Sequence, residues 1–324
     1  MNVKENNNLL NYVNLDNLQI LTIKGPDSKI FLQNQLTINI DRLDNKKHFF
    51  NAFHCNSQGK ILTNMHIFKI CDNFYQYIIR KNILNEYLKS IKKYILLYKV
   101  TISLDKEKKI FGILNIKTEQ LLFKIFAKKD IFLQKKTLYL FNKDILLKFK
   151  YFENYYFMIL SSKNIFFIIK KYFLSKIFYL KKNSSWDKFY MKIGYYIIDM
   201  DYHCNLFLPQ QFIFNEMNTI DFNKGCYLGQ EIISSLNFKN KINQKLFLLK
   251  GHLKIKPSYN DILEFKNNEN SEWKIIRNKI ILKILKTTSN IFWIQIILKN
   301  NFIKKSLIRF QKDKNSMFFI VKIF

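Results

Sequence analysis

The sequence predicts an α+β protein whose C-terminal part is all-β, and three observations support this class. In the first 240 residues, short β-rich runs mix with helical patterns, without the strict strand–helix–strand alternation of a doubly wound sheet. In the last 80 residues, strand patterns follow one another closely and helical spacing is nearly absent. The length of 324 residues is enough for about two domains. We therefore predict an α+β region over residues 1–240 and a small β-barrel or sandwich over residues 245–324.

The first predicted element is a strand over residues 18–23, where an alternating pattern of β-rich side chains begins. Gly25-Pro26 is a turn signal that ends this strand. Asp27 or Ser28 is expected to cap the short helix that follows, since both side chains accept hydrogen bonds from the first helical amides. The segment therefore predicts a strand–turn–helix unit.

A hairpin is predicted next, with strands over residues 48–55 and 61–70. Its tight turn requires a residue with positive φ, and Gly59 supplies it. The remaining predictions are helices over residues 83–96 and 165–180, and strands over residues 99–104, 110–114, 156–160, 246–253, 262–265, 274–285, 291–298 and 306–310.

Positive charge dominates the composition, because 54 Lys and Arg residues against 24 Asp and Glu give a formal net charge of +30. Such a balance is typical of proteins that bind nucleic acid or anionic surfaces. Only four of these cations are arginine, however, and the chain holds only seven Gly and three Pro. A base-composition bias in the gene explains most of this charge without a ligand. A residual preference for anionic ligands is still expected.

Several protein classes are excluded by the same sequence. Four cysteines without regular spacing do not form a disulfide scaffold and fit a reducing compartment. The first residues lack a basic end followed by an apolar stretch, so no signal peptide is predicted. No uncharged run approaches the ~18 residues of a membrane span. We expect a soluble, cytoplasmic protein without a membrane partner.

Two His-Cys pairs, at residues 54–55 and 203–204, raise the alternative of a zinc site. Adjacent residues of a strand point to opposite faces, so each pair would hardly supply two ligands to one metal, and we predict no metal site. Asp199 and Asp201 share one face if their segment is extended. They are either an acid/base pair or, by default, solvated carboxylates.

The most specific stretch is Lys-Gly-Cys-Tyr-Leu-Gly-Gln-Glu at residues 224–231. A helical pattern follows it, which places Cys226 at or just before a helix N-terminus. The helix dipole and Lys224 would favour the thiolate there, so Cys226 and Lys224 are candidate catalytic residues. The alternative is a buried or capping cysteine that only packs. The other residues of the motif are Gly225, Tyr227, Gly229, Gln230 and Glu231.

This run resembles the signature of YgfZ, the folate-binding relative of the glycine-cleavage aminomethyltransferase (T-protein). Three more blocks resemble the same family, in the same order along the chain. They are Gly-x-Asp-Ser-x-x-x-Leu-Gln-x-Gln-Leu-Thr at residues 25–37, His-Cys-x-x-x-Gly-Lys at 54–60, and Trp186 with Gly194, Asp199 and Phe-Leu-Pro-Gln at 207–210. Each block is weak alone, but the ordered set covers most of residues 18–250, and the chain is identified as a member of this family.

The resemblance implies two aminomethyltransferase-like α+β lobes and a C-terminal β-barrel, arranged as a ring around a central folate-binding hole. It implies that Trp186 stacks on the folate, a tetrahydrofolate or a derivative of it, and that lysines bind the folate carboxylates. A second folate-contacting aromatic of the family corresponds to Leu18, so one stacking face is missing here. Asn278 corresponds to a glycine in the barrel of the family. Asparagine is the best substitute for glycine where a positive φ is required. The residues that replace family arginines and a glycine after the cysteine are Ser235, Lys239 and Asn240.

The family links its folate site to tRNA modification, through upkeep of an iron–sulfur enzyme that thiolates tRNA. The leading hypothesis is therefore a folate-binding accessory protein, in which Trp186 holds folate and Cys226 acts in a thiol or cluster-handling step. The rival hypothesis is a folate-dependent aminomethyltransferase, which needs a carboxylate beside the folate and whose signature lacks this cysteine. A general RNA-binding protein rests on charge alone. The expected partners are folate and an iron–sulfur tRNA-modifying enzyme, and direct contact with tRNA is left open.

Overall fold

The structure of the chain is a computed structural model. It describes residues 9–44, 47–116, 137–141, 144–162, 177–212, 219–239, 243–267, 271–288, 290–299, 301–302 and 305–324. The described strands are β1 Leu9–Asn14, β2 Leu18–Lys24, β3 Phe50–Cys55, β4 Ile61–Cys71, β5 Phe74–Arg80, β6 Thr101–Leu104, β7 Lys109–Ile116, β8 Leu138–Phe141, β9 Asp144–Tyr151, β10 Asn154–Ser161, β11 Ile177–Lys181, β12 Gln244–His252, β13 Leu263–Lys266, β14 Lys274–Ile275, β15 Ile280–Lys286, β16 Ile291–Lys299, β17 Leu307–Phe310 and β18 Asp313–Ile323. The described α-helices are α1 Ser28–Gln35, α2 Leu84–Ile95, α3 Ser184–Ile193 and α4 Gln230–Lys239. None of these helices is long and apolar enough to cross a bilayer.

The N-terminal sheet has the strand order β3-β4-β5-β2-β6, and all of its pairs are antiparallel. Helices α1 and α2 cover one face of this sheet, where Phe31 and Tyr87 share a core with Ile67. The opposite face, which carries Ile20 and Phe68, joins the core of the middle sheet. The predicted strand–turn–helix unit, the hairpin and the helix at 83–96 are therefore confirmed.

The start of α1 differs from the prediction in one detail. Asp27 precedes the helix, but its side chain makes no capping hydrogen bond. The Asp27 carboxylate instead accepts a hydrogen bond from Lys99 N at 2.7 Å. The Ser28 hydroxyl is buried and has no partner among the described residues. Asp27 therefore occupies the predicted N-cap position without a side-chain capping bond, and it ties the turn to the segment before β6.

The middle sheet has the order β11-β1-β7-β10-β9-β8, with a parallel β1–β11 pair and antiparallel pairs elsewhere. Helix α3 packs on it, because Phe189 stacks on Tyr156 with ring centroids 3.9 Å apart and Trp186 lies against Gly112. The helix predicted over residues 165–180 is wrong at its end, where residues 177–180 belong to β11. Its residues 165–176 lie outside the described part of the chain.

The C-terminal sheet has the order β14-β13-β17-β18-β12-β16-β15 and is antiparallel throughout. It confirms the all-β prediction for the last part of the chain and encloses a core of its own. Among the described residues its edge strands β14 and β15 do not pair with each other, so the predicted barrel is observed as an open sheet. Asn278 adopts a φ of 55°, as expected for a residue at a glycine position.

A buried ion network ties the three sheets together. Arg80 of β5 binds Asp187 of α3 at 2.6 Å, and Lys283 of β15 lies 3.3 Å from Asp187 and 2.6 Å from Asp199. Burial alone would raise the pKa of the Asp187 carboxyl, but Arg80 and Lys283 hold it below its usual value. Asp199 is therefore a buried ion-pair partner, and its default interpretation as a solvated carboxylate is wrong. Asp201 is exposed.

Candidate functional site

Lys224 closes the C-terminal end of α1. Its ammonium donates to the carbonyl oxygens of Gln33, Leu36 and Ile38 at 2.6, 2.7 and 2.8 Å. These oxygens lie at and just after the last helical turn, where carbonyls lack helical partners. Burial lowers the pKa of Lys224 to about 8, so the group is an ammonium at neutral pH. All three N–H groups are used on the backbone, so Lys224 gives Cys226 no hydrogen bond, and a longer-range effect on the thiol stays a prediction.

Residues 221–230, here called the cysteine loop, are fixed to the segment that follows α1 by further backbone contacts. Leu228 N donates to Asn34 O, and Asp221 N donates to Thr37 O, both at 2.9 Å. Along the sequence, the two bonded loop residues lie on either side of Lys224. The first motif block of the sequence and the cysteine motif are therefore in direct contact.

Two motif glycines bring the cysteine loop against the β3–β4 turn. Gly59 has a φ of 71° and Gly229 a φ of 82°. A Cβ atom added at Gly229 would lie 2.5 Å from Asn56 O and 2.8 Å from Gly59 Cα. Only glycine combines this left-handed conformation with so close a backbone approach. The hairpin block and the cysteine motif are therefore joined backbone to backbone.

Tyr227 and Gln230 form the entry to α4. Tyr227 N donates to Gln230 Oε1 and Gln230 N donates to Tyr227 O, both at 3.1 Å. The Tyr227 ring is buried in a core that includes Cys55 and Ile61. Gln230 and Glu231 lie in the first turn of α4, as predicted. These two reciprocal hydrogen bonds give Gln230 of the motif a structural role at the start of α4.

Cys226 lies at the exposed crest of the loop. A Cβ atom added at its neighbour Gly225 would meet nothing within 4 Å, so this part of the loop borders open space. Cys226 precedes the first residue of α4 by four positions, which places it outside the helix. Cys71 is also exposed, whereas Cys55 is buried, and burial raises the pKa of its thiol. The buried-cysteine alternative for Cys226 is therefore wrong.

The Phe-Leu-Pro-Gln block completes this junction. Ile61 N donates to Phe207 O and Asn205 N donates to Ile61 O, both at 2.8 Å. The Gln210 amide donates to the carbonyl of Ile233 in α4. The blocks around residues 25–37, 54–60 and 207–210 thus all contact the cysteine loop or the helix that it begins.

Trp186 lies in a different environment from the one predicted. The residue is only 1% exposed, and its ring contacts Phe149, Phe189 and Tyr190 edge-on. A Cβ atom added at Gly112 would lie 2.4 Å from the six-membered ring of the indole, so the backbone of β7 covers that part of the ring. The indole is therefore packed inside the core. Its role in folate binding stays a prediction.

Leu18, at the position of the missing aromatic, belongs to the same core as Trp186 and is 8% exposed. The resemblance thus pairs two positions that the structure also places in one cluster. At both positions, however, the side chain packs against protein.

A cleft of about 240 Å³, here called the three-sheet cleft, opens in front of this cluster. Its lining comes from Asn51 of β3, from Phe149 and Tyr151 of β9 with Lys150 between them, and from Lys322 of β18. The Phe149 ring lies 5.9 Å from Trp186, so it separates the indole from the cleft. Aromatic walls and cations thus meet at the point where the three sheets approach one another.

His66 supports the cleft from behind. Its ring nitrogens lie 2.6 Å from Asn51 Oδ1 and 2.7 Å from the Tyr190 hydroxyl. The ring stacks on Tyr195 with centroids 4.7 Å apart and meets Phe149 edge-on at 5.3 Å. Burial, aided by Arg80, lowers the pKa of His66 to about 3, so the imidazole is neutral. Sequence reasoning missed His66, Asn51 and Phe149.

The cysteine loop and the Trp186 cluster are separate. None of the hydrogen bonds or ring contacts of Trp186 reaches the loop in the part of the chain that the structure describes. Their cores meet through stacked rings, since Tyr195 lies 6.1 Å from Tyr196, which stacks on Phe53 at 5.2 Å. The leading hypothesis, in which Trp186 holds folate and Cys226 acts in a thiol step, thus has no direct contact between the two residues to support it.

The first His-Cys pair, at residues 54–55, is engaged within the protein core. His54 lies 3.2 Å from the Tyr87 hydroxyl and 3.0 Å from Gln35 Oε1, and burial lowers its pKa to about 3. Cys55 packs in the core under Tyr227. Within the described ranges, no group of three or more His, Cys, Asp or Glu side chains is arranged to hold a metal ion.

The arrangement of the three sheets defines the class of the protein. The structure superposes on the glycine cleavage system aminomethyltransferase T from Bartonella henselae with a TM-score of 0.71. The match covers 96% of this chain and 84% of the other chain, at 10% sequence identity. The protein therefore has an aminomethyltransferase-like α+β fold.

Sequence comparison narrows this class to one family. The chain is 30% identical over 311 residues to the tRNA-modifying protein YgfZ of Buchnera aphidicola subsp. Baizongia pistaciae, covering 94% of this chain and 93% of the relative. It is 26% identical over 308 residues to YgfZ of Escherichia coli O127:H6, with 95% and 91% covered. No family model matches the sequence. The chain belongs to the YgfZ family, which confirms the resemblance found in its motifs.

Proposed function

We propose that the protein is an accessory factor in tRNA modification that binds a folate and uses Cys226 in a thiol or cluster-handling step. As an accessory factor, the protein would support an iron–sulfur enzyme that thiolates tRNA. The convergence of the motif blocks on one loop with an outward cysteine carries this proposal. Backbone contacts on both sides hold the thiol in a fixed position, which a reactive or ligating sulfur requires. The name of the YgfZ relatives, tRNA-modifying protein, supports the pathway.

The lining of the three-sheet cleft fits a folate. The half-buried Tyr151 supplies an aromatic face for a pterin or aryl ring, and Phe149 lines the cleft with the 8% of its surface that is exposed. Asn51 retains an amide nitrogen that makes no hydrogen bond among the described residues. Lys150 and Lys322 stand where the carboxylates of a glutamate tail would gain charge-assisted hydrogen bonds. At about 240 Å³ the cleft would hold the pterin and leave the tail at its mouth. Folate supplies one-carbon chemistry when it is bound.

In this arrangement Trp186 is a positioning residue. It is covered by Gly112 and lies behind Phe149, so it would orient the ring that meets the pterin rather than stack on it. Leu18 fills the same core from the side of β2. In this chain, Phe149 would then contact the folate in place of the aromatic residues that contact it in the family.

A folate-dependent aminomethyltransferase is the second candidate, and the shared fold favours it. That chemistry needs a carboxylate beside the folate to manage the amine proton. The described residues that line the three-sheet cleft include no Asp or Glu. The buried carboxylates of Asp187 and Asp199 are held by Arg80 and Lys283. The lining therefore favours the accessory role.

Complementation tests the thiol role. Cells that lack the protein are supplied with wild type, Cys226→Ser or Cys71→Ser, and thiolated tRNA nucleosides are measured by mass spectrometry. Cys71 is the matched control, because it is the other exposed cysteine among the described residues. Loss of thiolation with Cys226→Ser alone supports the proposal, and wild-type levels with that variant refute a thiol role.

Calorimetric titration with tetrahydrofolate tests the cleft. Phe149→Leu keeps the apolar volume but removes the aromatic face, and it should weaken binding at least tenfold, about 1.4 kcal/mol. Phe319→Ala is the control, since this half-exposed ring lies on the outer side of β18. Equal affinity of wild type and Phe149→Leu would place the folate elsewhere. Transfer of an amine-bound one-carbon unit to tetrahydrofolate would instead favour the aminomethyltransferase.

A further inference from the structure

An open groove of about 750 Å³, here called the α2 groove, runs between α2 and the turn of the β3–β4 hairpin. Lys89, Lys92 and Lys93 of α2 form one wall, and Ser57 and Gln58 of the turn form part of the other. The α2 groove shares no lining residue with the three-sheet cleft. It is therefore a second concave surface, separate from the proposed folate site.

The three lysines form an unbalanced cation cluster. All three are exposed, and none makes an ion pair within the described residues. Glu86 is the acidic side chain among the described residues that line the groove, so the lysines outnumber the carboxylates three to one. A polyanion bound here would release counterions without breaking any ion pair.

The opposite wall is polar and rigid. Asn56 Oδ1 accepts hydrogen bonds from Gln58 N and Lys60 N, both at 2.9 Å, and Asn56 Nδ2 donates to Asn205 Oδ1 at 2.8 Å. These bonds fix the turn. The side chains of Ser57 and Gln58 are exposed and make no hydrogen bond among the described residues. Donors and acceptors of this kind suit the polar edges of bases.

Apolar surface lies beside the cations at the end of α2. Tyr94 lines the α2 groove, and Leu96 next to it is 80% exposed. Unpaired bases stack on aromatic rings such as that of Tyr94, whereas a double helix keeps its base faces covered. We propose that the α2 groove binds a single-stranded segment of RNA. Its phosphates would lie on the three lysines and its bases against Tyr94 and Leu96.

The groove places this RNA beside the cysteine loop, because Asn56 of the same turn touches Gly229. The inference therefore deepens the proposed function by making the RNA a direct partner of this chain. RNA binding requires neither folate nor the thiol, however. A failure of this inference would leave the tests of Cys226 and of the three-sheet cleft unaffected.

Fluorescence anisotropy tests the inference with a labelled single-stranded RNA of mixed sequence and with the same RNA annealed to its complement. The full-length groove variant K89E/K92E/K93E is compared with K254E/K256E/K314E, in which three exposed lysines near the C-terminal sheet are reversed. Both variants change the net charge equally. The groove variant should bind the single strand at least tenfold more weakly. Its slope of log affinity against log salt should fall by about 2, since each lost phosphate contact contributes about 0.7.

The control variant should keep most of the affinity and a slope close to that of wild type. Equal losses in both variants, an unchanged groove variant, or tighter binding of the duplex would each overturn the proposal. Normal RNA binding together with lost tRNA thiolation would assign the groove to a protein partner, which also overturns it. Thermal unfolding checks the fold of each variant, and the corresponding Lys→Gln triple repeats the test with a smaller change of charge.

Discussion

The cysteine loop and the Trp186 cluster are held by different forces. The loop is fixed by backbone hydrogen bonds, by the Lys224 ammonium on three carbonyls and by the contact of Gly59 with Gly229. Trp186 is fixed by ring packing. Directional backbone contacts require one particular residue, whereas packing accepts any side chains of suitable volume. This difference explains why the loop is recognisable as a motif while the walls of the cleft are not.

The largest effect is expected from Gly229→Ala, which tests the dependence of the loop on backbone contact. The alanine would need a φ of 82° and would place its Cβ 2.5 Å from Asn56 O. The free energy of unfolding should fall by about 3 kcal/mol or more, measured by urea denaturation. Gly225→Ala is the matched control, because its Cβ meets nothing within 4 Å, and it should cost less than about 0.5 kcal/mol. Similar losses of unfolding free energy in both variants would show that the loop does not depend on the backbone contact at Gly229.

A smaller loss is expected from Lys224→Met, which keeps the apolar stem but removes the donor from three carbonyls. Buried acceptors without a donor should lower the free energy of unfolding by about 2 to 3 kcal/mol. Lys60→Met provides the comparison, since Lys60 Nζ also donates to a carbonyl, Leu206 O, but in an exposed position. It should be nearly neutral in the same denaturation experiment. If Lys224→Met is equally neutral, the ammonium is not what closes α1.

Elements with a strong local pattern could be predicted from the sequence, and elements defined by distant partners could not. The β3–β4 hairpin and α2 carry their own turn and helical signals, and both are confirmed. The strand β11 lies in a Phe-, Ile- and Lys-rich run whose period is ambiguous, and its partner β1 is far away in sequence. The strand β18 was missed because its solvent face carries Met317, Phe319 and Val321, which removes the alternation.

The candidate site shows the same division. Cys226 and the motif around it were found because glycine and cysteine are rare in this chain and form a recognisable motif here, but the partners of Lys224 are carbonyls, which have no signature in a sequence. Phe149 was missed because it is one of 32 phenylalanines and no motif marks it. One signal was present for Trp186: Gly112 interrupts a strand in a glycine-poor chain, which indicates a close approach. That glycine predicts a covered indole rather than an open one.

The pH dependence of stability tests the burial of His66, which contacts the Trp186 cluster through Tyr190 and Phe149. Burial lowers the pKa of His66 from 6.5 to about 3, so between these values the unfolded chain binds a proton that the folded chain does not. Wild-type stability must therefore fall as the pH drops through this window. Relative to His66→Gln, wild type should lose about 2 kcal/mol between pH 7 and pH 5, measured by urea denaturation. His252→Gln, at an exposed position, is the control, and its stability should vary with pH as that of wild type does. If the stability of His66→Gln also varies with pH as that of wild type does, His66 is not buried in solution.

The smallest effect on stability is expected at the residue with the most specific proposed role. Cys226 is exposed, and its sulfur makes no hydrogen bond among the described residues, so Cys226→Ser should change the free energy of unfolding by less than about 0.5 kcal/mol. Maleimide should label Cys226 in the folded protein and leave the buried Cys55 unmodified until denaturant is added. Mass spectrometry of the labelled peptides distinguishes the sites. Protection of Cys226 from maleimide, or a large loss of stability in the serine variant, would contradict this prediction. Either result would mean that the thiol helps to hold the loop together with the backbone contacts.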